Sequence, residues 1–244
     1  RVILRVLQEK YREAGGERRM KCGVRRLVTQ GERVTTVVLD TGEEITADHV
    51  MSSAGLFETE ALLLPDEPAA PPLVREPRDG RLSFVETITV LNRQPSALGW
   101  GDDTIMFFND SPHFDYRRPE EPVDLRSGVI CFPNNFVYPA SKELPEGLLR
   151  VTCLADFDSW VSFDDVRYRA EKESWFRQMQ TSALRFLPPP NVESLANLTV
   201  TTDMFTPRTV KKYTGHAEGA IYGAPVKVKT GRTPFTNLYL CGTD

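Results

Sequence analysis

The chain alternates between stretches of helical period and short runs of strand period, and the changes fall at glycines and prolines. Ile3, Val6, Leu7 and Tyr11 recur at helical spacing with charges between them, and Gly15-Gly16 stops the pattern, which predicts a helix at the start. From Cys22 the period shortens. VRRLVTQ, RVTTVVLD and EEITADHVMSSAG are three runs rich in Val, Thr and Ile. Gln30-Gly31 and Asp40-Thr41-Gly42 separate them with hairpin chemistry, which predicts a three-stranded meander. A proline-rich stretch from Pro65 to Pro77 reads as a surface connection.

Beyond it, LSFVETITVLN (82–92), TIMFF (104–108), SGVICF (127–132) and LLRVTCLAD (148–156) are four strand candidates whose spacing suits a mainly antiparallel sheet. SFDDVRYRAEKESWFRQMQTSALRFLPPP then predicts a long helix. Ser162 and Asp165 stand as a capping box, Val166, Ala170, Trp175, Met179 and Leu184 form an apolar stripe, and Pro188-Pro189-Pro190 ends it. A mixed region leads to NLYLCGTD (237–244), which reads as a buried strand entering a glycine turn.

Composition narrows the picture without deciding it. The 244 residues are 40% hydrophobic and 26% charged, the profile of a globular protein able to bury a large core. A net charge of -4 gives no reason to expect nucleic acid as a partner. Cys22, Cys131, Cys153 and Cys241 lack CxxC spacing, so neither a metal site nor a disulfide framework is indicated, and a reduced, cytoplasmic setting fits best. No apolar run approaches the roughly 18 residues of a membrane span. Neither end reads as a finished terminus, so the expectation is an excerpt of a longer chain.

Several of these pieces stand in the order of one family. GGERRMKCGVRRLVTQGERVTTVVLDTGEEITADHVMSSAG resembles the strand and hairpin that complete the FAD-binding domain of phytoene desaturase-like flavoproteins. CFPNNFVYPASKELPEGLLRVTCLADF resembles their substrate-domain strand, polar loop and following strand. TPRTVKKYTGHAEGAIYGAP is similar to the loop that approaches the flavin, and TPFTNLYLCGTD to the strand that returns to the FAD domain. The family's GxGxxG fingerprint is absent from this sequence.

The resemblance implies an α/β fold, with an incomplete Rossmann-like FAD domain from residues 1–55 and 233–244. Residues 56–232 would form a substrate domain with a mostly antiparallel sheet backed by helices. It implies that Val24, Ser53, Ala54, Gly55, Gly242, Thr243 and Asp244 approach the FAD. Phe107, Phe132, Tyr138, Trp160 and Tyr222 would line the path of an elongated isoprenoid. His216 and Tyr222 are the candidates for a proton-handling role, with no base assigned.

In that chemistry the flavin takes hydride from a C–H beside a double bond while a proton leaves the neighbouring carbon. The substrate would be a polyene lipid, desaturated, saturated or isomerised, and the enzyme would touch a membrane surface peripherally. The excerpt alone would be inactive and bind little FAD. An amine oxidase-like flavoenzyme and a non-catalytic lipid-binding or interaction module remain open alternatives.

Overall fold

The computed structural model describes residues 2–63, 73, 82–113, 117–189, 194–223 and 227–242. In chain order its elements are α1 (Val2–Glu13), β1 (Val24–Gln30), β2 (Arg33–Leu39), β3 (Glu44–Ile45), β4 (Val50–Ser52), α2 (Leu56–Leu63) and β5 (Ser83–Leu91). There follow β6 (Ile105–Asn109), β7 (Ser127–Cys131), β8 (Gly147–Ala155), α3 (Phe157–Ser162) and α4 (Asp165–Leu184). The last are α5 (Leu195–Leu198), β9 (Thr199–Phe205), α6 (Pro207–Thr214) and β10 (Leu238–Leu240). Contacts divide the chain into two units, one of Arg1–Ser53, Glu58–Arg75 and Thr230–Cys241, the other of Ala54–Phe57, Glu76–Lys229 and Gly242–Asp244. Most of the proline-rich stretch lies outside the described residues.

In the first unit β1, β2 and β3 form an antiparallel sheet. Gly31, at φ +59°, supplies the left-handed residue that the β1–β2 turn requires. The expected meander stops early. The third run splits into the two-residue β3 and then β4, which leaves β2 and pairs in parallel with β10. The reason lies at Asp48, whose carbonyl accepts from Arg33 Nη2 and Asn237 Nδ2, each at 3.1 Å, and so is bonded to side chains. The expected N-terminal helix is present as α1, but every apolar residue of its stripe is at least half exposed except Val6, at 44%.

The second unit holds a five-stranded antiparallel sheet in the order β6-β7-β8-β5-β9. β5 and β8 pair over their full length, Ser83 opposite Ala155 and Leu91 opposite Gly147. Alternation puts Val85, Leu91, Leu149, Val151 and Cys153 on the face that α4 covers, where they join Trp160, Met179 and Leu198 in the core. The four expected strands are there. β9 was not expected: in TVTTDMF only Met204 is buried, so the sequence shows no apolar alternation.

The expected capping box is also corrected. Ser162 ends α3, and it is Asp164 that caps α4, its carboxylate accepting the N–H groups of Val166 (2.9 Å) and Arg167 (2.8 Å). Of the expected stripe, Met179 is in the core and Trp175 and Leu184 pack against it, while Val166 and Ala170 are exposed and Ser182 and Ala183 complete the buried face.

Candidate cofactor and substrate sites

The candidate cofactor site is built from two parallel strands. Leu238, Tyr239 and Leu240 lie opposite Val50, Met51 and Ser52, and Cys241 N–H continues the ladder to the Ser52 carbonyl at 2.9 Å. Both strands run into a glycine that only an achiral residue occupies without strain: Gly55 at φ +111° and Gly242 at φ +106°. Among the described residues, none would stand within 4 Å of a Cβ added at Gly242. In open α/β sheets the space beyond the carboxyl ends of parallel strands is where dinucleotides lie, with glycines permitting close approach of the backbone to the pyrophosphate. The backbone present fits that use.

Asn237, which the sequence reading did not single out, fixes this pair. It has no exposed surface. Its Oδ1 accepts from Val34 N–H at 2.8 Å, its Nδ2 donates to the Val34 and Asp48 carbonyls, and its own carbonyl accepts from Val50 N–H at 2.8 Å. One side chain thus ties β10 to β2 and to the approach to β4. Its signal in the sequence is slight: a polar residue immediately before an apolar strand.

The other cofactor candidates are placed as follows. Val24 opens β1, 40% exposed, opposite Leu39. Ser53 and Ala54 are exposed just after β4, and Gly55 is buried. Thr243 and Asp244 lie outside the described residues.

The aromatic candidates do not converge. Phe132 and Trp160 have no exposed surface. Phe132 stacks on Trp100 with ring centroids 5.6 Å apart, and the Trp160 indole N–H donates to the Pro122 carbonyl at 3.0 Å. Both are core residues, and the expectation that they line a substrate path is corrected on that ground. Phe107, by contrast, is 82% exposed and stands on the other face of the sheet. Tyr138 is half-buried in an irregular segment after β7. His216 precedes a one-turn helix at Ala217–Gly219, its N–H bonded to Thr214 Oγ1. Tyr222 is 55% exposed, and its carbonyl accepts from Lys227 Nζ.

The face of the five-stranded sheet opposite the core is the better candidate for a substrate surface. Register and pleat place Phe84, Ile88 and Val90 of β5, Leu148 and Leu154 of β8 and Val129 of β7 there, all half-buried. One charged pair interrupts it. Arg150 grips Glu86 with Nε and Nη2 at 2.7 to 3.1 Å, and Thr152 Oγ1 donates to Glu86 Oε2 at 3.1 Å. Beside them Cys131 is pushed up from the ordinary thiol value by burial, which Arg150 opposes and Glu86 reinforces. Burial pushes Cys153, on the core face, up to about 12. Both cysteines are therefore protonated at neutral pH.

At the foot of this unit Asp156 caps α3. Burial would raise its carboxyl, but the hydroxyl and N–H of Ser159 and the guanidinium of Arg118 outweigh that and hold it below the usual carboxylate range.

The fold is shared with known oxidoreductases. The chain is similar to an oxidoreductase from Methanosarcina mazei at 14% identity and a TM-score of 0.52, over 97% of this chain and 47% of that one. It is similar also to two variants of a putrescine oxidase made in a structure-based redesign of cofactor binding, each at 16% identity and a TM-score of 0.50, over 90% of this chain and 42% of theirs. The chain spans less than half the length of these structures, and the likeness is one of fold. No protein-family model and no curated protein matches the sequence.

Proposed function

We propose that the chain is the substrate domain, with part of the cofactor domain, of a longer FAD-dependent oxidoreductase acting on a polyene isoprenoid lipid. The observation that carries the FAD reading is the β4–β10 parallel pair, which runs into two positive-φ glycines, Gly55 and Gly242. Val24, Ser53, Ala54, Gly55 and Gly242 would contribute main-chain groups and small surfaces to hold the cofactor. The bound flavin would supply the hydride acceptor. The chain's own part is to bind and orient the substrate and to keep water from it.

The sheet face of the second unit supports the lipid reading over the amine one. Phe84, Ile88, Val90, Leu148, Leu154 and Val129 offer area rather than polar contacts, and buried apolar area yields about 25 cal/mol per Å². An amine would require a carboxylate or aromatic cage open to it. The Glu86 carboxylate is already taken by Arg150 and Thr152. An amine substrate remains the second reading because two of the similar structures are putrescine oxidase variants. A polyene resides in lipid, so the enzyme would touch a membrane surface. Among the described residues no helix is long and apolar enough to cross one.

Anaerobic mixing of the flavin-loaded longer enzyme that contains this chain with an acyclic carotenoid precursor tests the proposal. Bleaching of the flavin absorption together with a shift in the polyene bands is the expected result. Bleaching by putrescine instead would favour the amine reading, and bleaching by neither would leave a non-catalytic lipid-binding module as the better account.

A further inference from the structure

β9 is an outer strand of the five-stranded sheet, and among the described residues its far edge pairs with no strand. Of its seven residues only Met204 is buried; Thr199 is partly buried and the other five are exposed. A groove runs along that edge, with α4 as one wall and α6 at one end. It consists of two cavities of about 1060 and 520 Å³ that share Lys172, Asp203 and Met204. The second unit alone supplies all of it.

The charge of this groove differs from that of the chain. Arg169, Lys172, Arg177, Arg208, Lys211 and Lys212 line it, against Glu173 and Asp203, while the whole chain carries -4. Lys172 pairs with Asp203 at 3.5 Å and Arg208 with Asp165 at 3.0 Å. Arg169, Arg177, Lys211 and Lys212 form no ion pair among the described residues; Lys211 and Lys212 lie over the rings of Phe157 and Tyr213, each 5.3 Å from the centroid. Among the described residues, four cations without an ion pair therefore line the groove with one such acid, Glu173.

We infer that this groove binds an extended acidic peptide segment, which adds to the sheet as a strand beside β9. An open edge offers main-chain N–H and C=O groups at strand spacing, and a peptide laid there gains ladder hydrogen bonds while its side chains alternate between groove and solvent. The cations specify acidic side chains on the incoming strand. They also oppose edge-to-edge pairing of two copies of this chain, which would bring like charges together. The concavity of the groove, a channel bounded by a helix and a strand, suits an extended chain better than a flat bilayer.

One residue acts as a removable cover. Asp203 Oδ1 accepts from Met204 N–H at 2.7 Å and from Lys172 Nζ. An arriving peptide carbonyl takes the Met204 N–H in its place, and the peptide's carboxylate takes Lys172.

The test is a fluorescence-anisotropy titration of the 244-residue chain with a short dansylated peptide of alternating glutamate and valine. A lysine–valine peptide, and a glutamate–valine peptide N-methylated at alternate residues on its pairing edge, serve as controls. The glutamate peptide should bind, and both controls should bind at least about tenfold more weakly, one for lack of complementary charge and the other for lack of ladder donors. Lys211→Gln with Lys212→Gln should weaken binding by about tenfold, and salt near 1 M, where the screening length is about 3 Å, should do the same. Asp203→Asn, which removes a like charge from the edge, should tighten it severalfold; this gain cannot arise from misfolding. Equal binding of the N-methylated peptide, no effect or a loss at Asp203→Asn, or capture of phosphatidylglycerol vesicles with no binding of the peptide would each overturn the inference. It does not depend on the flavin reading, and its failure leaves that reading untouched.

Discussion

The Asn237 carboxamide closes a two-point bond with the main chain of Val34, accepting its N–H and donating to its C=O, each at 2.8 Å. A side chain here imitates a residue of a strand ladder, and it does so with no exposure to water. Through it β10, more than 200 positions away in sequence, is pinned to the β1–β2 hairpin region.

Asn237→Ala should therefore destabilise the first unit by about 3 kcal/mol, because the Val34 N–H and C=O are left buried without partners. Asn237→Asp keeps the acceptor, loses both donated bonds and places a charge in the interior, so it should be no better. Urea-unfolding midpoints of the three proteins measure this; a loss under about 0.5 kcal/mol for the alanine variant would show that the contacts contribute little.

Gly147→Ala tests the pairing of β5 with β8. An added Cβ would stand 1.9 Å from the Arg93 carbonyl oxygen, so main chain rather than a side-chain end must move. At least about 2 kcal/mol of stability should be lost. Gly31→Ala, at φ +59° with nothing near, should lose only about 1 kcal/mol from backbone strain. Thermal melts of the two variants should keep that order.

Arg150→Met should destabilise the second unit by about 3 kcal/mol, because Glu86 keeps a largely buried carboxylate without its guanidinium. Adding Glu86→Gln should restore much of the loss. A double-mutant cycle reads the coupling directly, and simple additivity would mean that the pair is not coupled.

Asp156 gives a pH dependence of defined sign. Its folded-state value lies below the unfolded value of about 3.9, so its contribution is full above that pH and is lost as pH falls through the lower folded value. Asp156→Asn retains an acceptor for the Ser159 N–H but does not titrate, so its stability should fall less steeply in acid than that of the parent. Parallel curves below about pH 4 would contradict the assignment.

Strands with apolar alternation or continuous apolar runs were legible in the sequence, as were the glycine turns; β5 to β8 show both signals. β9 was hidden because an outer strand with one buried residue carries no periodic signal. The meander was over-extended because Val50–Ser52 has the composition of a hairpin strand, and its true partner lies near the other end of the sequence. Phe132 and Trp160 misled for a related reason: aromatic content marks a strand, while the face on which each ring falls depends on register and on what α4 covers. The strand-end glycines were legible because glycine itself marks a backbone need, met by the positive φ of Gly55 and Gly242. Asn237 carried no such mark.

The dissociation constant of FAD from the longer enzyme that contains this chain, compared between Gly242→Ala and Gly31→Ala, tests the cofactor cradle most directly. Both positions have positive φ, and an added Cβ at either meets none of the described residues within 4 Å, so the two substitutions load the backbone alike. The account predicts at least about a tenfold loss of affinity for Gly242→Ala and little change for Gly31→Ala. Equal affinities in the two variants would contradict it.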